Sequence, residues 1–153
     1  MHYFIIHSGD DYESRVRPLL KEWSEGLSRF RCSVLTSDKE DWHDDARAKI
    51  RGAEKIIYIV GAKSAASPHI DWEINTAFEE NKEIYVYKLS PDYALNSMLA
   101  SVKENSHVFN GDKDGEFVIS SAKDRFLVAD GERMRQVLMD DDSCISQYLE
   151  SAS

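Results

Sequence analysis

The chain has 153 residues, enough for one domain that buries roughly 68–70% of the surface its unfolded form exposes. Hydrophobic residues make up 42% and charged residues 31%, which excludes a disordered chain, and the longest apolar run (56–62) is too short to span a bilayer. A net charge of −9 leaves no cation surplus for gripping a phosphate backbone or an anionic membrane, so neither nucleic acid nor membrane is expected as a partner.

The elements follow in chain order. Tyr3 to His7 reads as a strand, stopped by the polar turn Ser8-Gly9-Asp10-Asp11. Tyr12, Val16, Leu19, Leu20, Trp23 and Leu27 recur at helical spacing up to Gly26, and Pro18 requires either a kink or a start near Ser14. Arg31 to Thr36 is a second strand, followed by an acidic loop from Asp38 to Asp45 and a short helix over Ala46 to Ala53. Lys55 to Val60 is apolar almost throughout, as a strand covered on both faces is, and should be central in its sheet. Ser67-Pro68 supplies an N-cap and an N1 proline for a helix to about Asn81. Glu83 to Leu89 is a fourth strand, and Ser90-Pro91 opens a further helix to about Glu104.

The alternation predicts an α/β fold with a mainly parallel sheet of four or five strands and helices on both faces. In the last third, residues 107–109 offer a fifth strand. Residues 116–120 and 125–129 either pair as a hairpin or join the sheet edge, and 132–139 and 143–149 read as short helices. No repeat or linker divides the chain, so 1–153 is one domain. The opening is not a signal peptide, and Cys32 and Cys144 form no disulfide framework, which points to a reducing, cytoplasmic compartment.

Much familiar chemistry is missing. The seven glycines form neither a dinucleotide fingerprint nor a P-loop, and there is no G-x-S-x-G elbow. The five histidines have no zinc spacing, and the acidic loop places Trp42 where a calcium ligand belongs, so no metal is expected. Glu80-Asn81-Lys82 fits the short E-x-K of some nucleases, a pattern common by chance and at odds with the negative charge.

Glu73 remains. With Ser67 as N-cap it sits in the second turn of its helix, at the strand ends where an open parallel sheet binds ligands. At about 100° per residue, Ala77 lies about 40° away, Ile70 about 60° and Ile74 about 100°, so Glu73 borders the buried stripe and points across the crevice mouth. A carboxylate there either binds sugar hydroxyls and steadies an oxocarbenium-like transition state, or is a boundary residue favoured by the helix dipole.

The segment VGAKSAASPHIDWEINTAFE, Val60 to Glu79, resembles the core motif of TIR-like domains, in particular the branch that includes the ThsB component of the bacterial Thoeris antiphage system. Ser67, Trp72, Glu73, Ile74 and Ala77 match that motif, while His69 stands where the family often has a tryptophan. The openings FIIHSGDD and DWHDDARAKIRGAEKIIYIVG extend the resemblance over about residues 2–89. It implies a three-layer, flavodoxin-like/TIR-like fold and an enzyme that cleaves NAD at the nicotinamide–ribose bond. Glu73 would be the catalytic carboxylate, stabilising the ribosyl cation. NAD would be the substrate, with no separate cofactor, and the product would be ADP-ribose or a cyclic or conjugated derivative signalling to a separate effector. Substrate binding would fall to Ser8, Gly9 and Asp10 in the first loop and to Trp42 and Asp45 in the second. Ser8-Gly9 equally fits a plain turn, and Trp42 either stacks on a base or packs on the sheet edge. Trp72, about 100° from Glu73, reads as packing. With no attached oligomerisation domain in view, self-association or a phage-derived trigger is expected to control activity. The rival readings are a non-catalytic adaptor acting by self-association and a nucleotide sensor.

Overall fold

In a computed structural model, residues 1–9, 12–35, 42–90, 92–94, 107–111, 115–119, 125–129 and 134–142 are described, those within 107–129 by backbone alone. The frame is set by β3 (Lys55–Val60), whose side chains alternate between two cores. Ile56, Tyr58 and Val60 enter one core, and Ile57 and Ile59 enter the other. Its parallel neighbours are β1 (His2–Ile6) and β4 (Ile84–Lys88), so the most continuously apolar segment lies inside the sheet.

Beyond β1 lies β2 (Arg31–Val34), and beyond β4 the sheet continues through β7 (Arg125–Ala129), β6 (Gly115–Ile119) and β5 (His107–Gly111). The order β2-β1-β3-β4-β7 is parallel throughout, and β6 and β5 follow antiparallel. The sheet therefore has seven strands rather than four or five. The segments at 115–119 and 125–129 do both things foreseen for them: they pair with each other, and β7 docks on β4.

Helices cover both faces, giving three layers. On one, α2 (Trp42–Gly52) sends in Ile50, and α3 (Pro68–Glu79) sends in Ile70, Ile74 and Ala77. On the other, α1 (Arg17–Gly26) contributes Leu20 and Trp23, and α4 (residues 134–142) contributes Met134 and Leu138. The proline conflict is settled by a later start, at Arg17 and not near Ser14. A wide π turn at Tyr12–Val16 precedes α1, and Pro18 then falls in its first turn, where a missing N–H leaves no bond unmade.

Three boundaries differ from the sequence reading. The second helix begins by Trp42 instead of Ala46, with Asp44 and Asp45 in its first turn, where the helix dipole favours acidic residues. The third ends at Glu79, because Asn81 adopts a left-handed backbone (φ 58°) and the Asn81 and Lys82 N–H groups bond back to the Phe78 and Ala77 carbonyls. The last described helix runs to residue 142 because Asp141 and Asp142 have internal partners. Asp141 accepts from the Tyr3 and Tyr85 hydroxyls, each at 2.8 Å, and from Lys55 Nζ at 3.1 Å, and Asp142 accepts from the Arg29 N–H at 3.0 Å. The helix expected from Ser90-Pro91 to about Glu104 does not start there: Ser90 and residues 92–94 form a turn, closed by the Tyr93 N–H on the Ser90 carbonyl at 3.1 Å. The rest of that segment and the helix expected over 143–149 lie outside the described residues.

Candidate active site

In a parallel sheet ordered 2-1-3-4, the chain leaves β1 and β3 towards opposite faces, and the split between them at their carboxyl ends is where such folds bind ligands. The loop after β1, the start of α2 and the start of α3 all lie at that end.

The turn from β3 into α3 is firmly built. The buried Ser64 hydroxyl accepts the Gly61 N–H at 2.8 Å and hydrogen-bonds the Tyr58 phenol. Burial pushes the Tyr58 phenol well above its ordinary range, and the nearby charges of Asp71 and Glu73 add to that. Ser67 caps α3 as its sequence indicates, its hydroxyl accepting the Ile70 N–H at 3.3 Å.

Glu73 is more enclosed than a boundary position, at 2% exposed. Its Oε1 lies 3.2 Å from Nε2 of His69, one helical turn earlier, whose side chain is 43% exposed. Burial raises the Glu73 carboxyl above its ordinary value, and the His69 bond pulls partly the other way.

A cluster of flat rings closes over this pair. The Trp42 indole lies 3.7 Å from the His69 ring at 8° and 3.8 Å from the His43 ring at 26°. Two rings at that distance cannot share one face, so the imidazoles take opposite faces of the indole. Trp72 meets Trp42 and His43 edge-on, at 5.0 and 4.6 Å, and Arg47 lies 5.5 Å from its ring. Trp72 thus packs, as its angle from Glu73 suggests, and it joins α3 to α2.

The remaining expected residues are more dispersed. Ser8 is half-buried, and its carbonyl lies 3.0 Å from His7 Nδ1. Gly9 is exposed, and a Cβ there would meet nothing within 4 Å, so neither space nor backbone demands glycine. Asp45 is exposed, 3.9 Å from Lys49. Asp10, Asp11 and residues 38–41 lie outside the described residues. The E-x-K pattern is structural: Glu80 pairs with Arg51 at 2.9 Å and Asn81 ends the helix. Among the described residues no three His, Cys, Asp or Glu are grouped to hold a metal ion, and no helix is long and apolar enough to cross a membrane.

Sequence reasoning missed Tyr58, Ser64, Arg47 and the part played by His69. The i, i+4 spacing of His69 and Glu73 was the available signal.

No curated protein matches this chain. A solved 2-deoxyribosyltransferase from the psychrotolerant bacterium Bacillus psychrosaccharolyticus superposes with a TM-score of 0.50 at 11% identity, covering 66% of this chain and 81% of that one, a likeness of fold alone. Residues 28–94 match the family model described as Thoeris protein ThsB, TIR-like domain. That span holds Trp42, His69 and Glu73, and it supports the resemblance carried by the α3 motif: this stretch of the chain is similar to the TIR-like domain of ThsB.

Proposed function

We propose that the protein cleaves NAD at the nicotinamide–ribose bond, with Glu73 as the catalytic carboxylate, and that it does so in antiphage defence. The observation that carries this reading is a desolvated carboxylate at the ligand-binding end of a parallel sheet. As nicotinamide departs, positive charge develops on the ribose. A carboxylate stripped of water attracts that charge more strongly than a hydrated one, so its burial favours the transition state over the ground state. Water attack gives ADP-ribose, and attack by another nucleophile gives a cyclic or conjugated product that acts on a separate effector. No protein nucleophile is needed. Ser8, Gly9, Asp10 and Asp45 are proposed to hold the rest of the dinucleotide, and a phage-derived trigger or self-association to start turnover.

The test is incubation with NAD, with and without phage lysate, followed by mass spectrometry. Wild type should release nicotinamide, and Glu73→Gln should lose on the order of 100-fold in rate. Full activity in Glu73→Gln would move the catalytic role elsewhere. Silence of the wild type under every activating condition would favour an adaptor or sensor.

A further inference from the structure

The His69 ring has two occupations at once. Its face lies against Trp42 at 3.7 Å, and its edge nitrogen lies 3.2 Å from the Glu73 carboxylate. His43 fills the other face of Trp42, so neither face of the indole is open to a ligand ring. Of the four residues, His69 is the one whose departure exposes both a stacking face and the buried carboxylate. It has room to leave, since its side chain is nearly half exposed.

We propose that His69 is a displaceable stand-in for the flat nitrogen ring of the ligand: a planar heteroaromatic amide such as nicotinamide takes its place on Trp42, and the same exchange uncovers Glu73. This rests on the reading of Glu73 as the catalytic group and adds how the substrate reaches it. The geometry of the exchange places the scissile bond. In a nicotinamide nucleotide the glycosidic bond leaves the ring nitrogen in the plane of the ring. A ring stacked on Trp42 in the plane of the His69 ring, with its nitrogen on the Glu73 side but drawn back from the position of Nε2 to leave room for the anomeric carbon, sets that carbon beside the carboxylate. Ring stacking and access to the carboxylate then become one event, and a molecule without a flat ring leaves Glu73 covered.

Two variants separate the two occupations. His69→Ala removes both, whereas His69→Gln cannot stack but keeps an amide able to bond Glu73. Binding of nicotinamide, and in a second arm of adenosine monophosphate, is followed by titration calorimetry of the full chain, with circular dichroism to confirm the fold. Both variants should bind nicotinamide about tenfold more tightly than wild type, since the ligand no longer displaces a stacked ring. Adding Trp42→Ala to His69→Gln should abolish the gain. Unchanged or weaker binding in both variants would overturn the proposal, as would a gain that survives Trp42→Ala. A gain confined to adenosine monophosphate would overturn the placement of the scissile bond. The readout is binding and not turnover, so the two readings fail separately: tighter nicotinamide binding without NAD cleavage by any form would sink the cleavage reading alone, and cleavage with unaltered binding would sink the displacement alone.

Discussion

Glu73 sets two demands against each other. Burial makes its charge effective near a forming cation and expensive in the resting fold. Because its carboxyl is raised, the folded chain keeps this proton to higher pH than the unfolded chain. The penalty is therefore absent below the ordinary glutamate value of about 4.3, where both states are protonated, and complete above the raised folded value. Glu73→Gln should accordingly melt at or above wild type at neutral pH, the difference shrinking as the pH falls towards about 4. A lower melting temperature at neutral pH would show that the carboxylate's bond to His69 outweighs its desolvation. NAD cleavage should decline on acidification starting above the ordinary carboxylate range, and a pH–rate profile checks this. Glu73's helix position was legible from periodicity, but the depth of its burial was not. That depth comes from the enclosing fold and from His69 beside it, which is itself stacked on Trp42 of another element.

The elements were legible where local chemistry alone decides them. Ser67-Pro68 opens α3 as its capping chemistry dictates, and α1 ends at Gly26 as read, although its cap is Leu27 in an extended conformation and not a left-handed glycine. The C-terminus of α3 was misjudged by two residues because asparagine, unlike glycine, gives only a weak signal for a left-handed stop. Asn81→Gly should leave stability unchanged or raise it slightly, and Asn81→Val should cost about 1–2 kcal/mol, read by urea denaturation. Equal midpoints for the two would mean that Asn81's backbone geometry bears no strain. Ser67→Ala should cost about 1 kcal/mol through the loss of the cap. The start of α2 was missed because an acidic run reads as a solvated loop, although the same residues suit a helix's first turn.

At the scale of the whole molecule, the alternating pattern revealed the layers and the interior place of β3, but not the number of strands. Short strands past residue 106 leave little periodicity, and the pairing that joins them to the sheet, β7 on β4, links segments far apart in sequence. The two ends of the sheet also differ in character. At the carboxyl end the site residues contact each other through stacked rings that can exchange. At the amino end Asp141 gathers Tyr3, Tyr85 and Lys55, with Lys55 also 3.6 Å from Glu83. Burial, reinforced by Asp141, pushes both phenols far above their ordinary range, so they stay neutral donors at any physiological pH. Asp141→Ala strands the two phenol donors and takes from Lys55 one of its partners, leaving it Glu83 and the Tyr85 oxygen, and should cost about 3 kcal/mol or more, while Asp141→Asn keeps an acceptor for the phenols and should lose less. Denaturant midpoints of the two variants check the order, and a reversal would deny the carboxylate its role.

The Asp141 junction also orders events in time. Tyr3, Lys55 and Tyr85 come from the first, third and fourth strands, all made before the carboxylate that completes them, which lies on the last described helix. β7, which covers the far edge of β4, is also late. A nascent chain reaching only residue 106 therefore holds an open β4 edge and unmet donors under its first strands, and its α3 segment cannot yet be held in the finished fold. Translation intermediates arrested before residue 125 should be digested readily by protease, and those extending past residue 142 should resist, so that the site becomes competent only once Asp141 has joined the first strands.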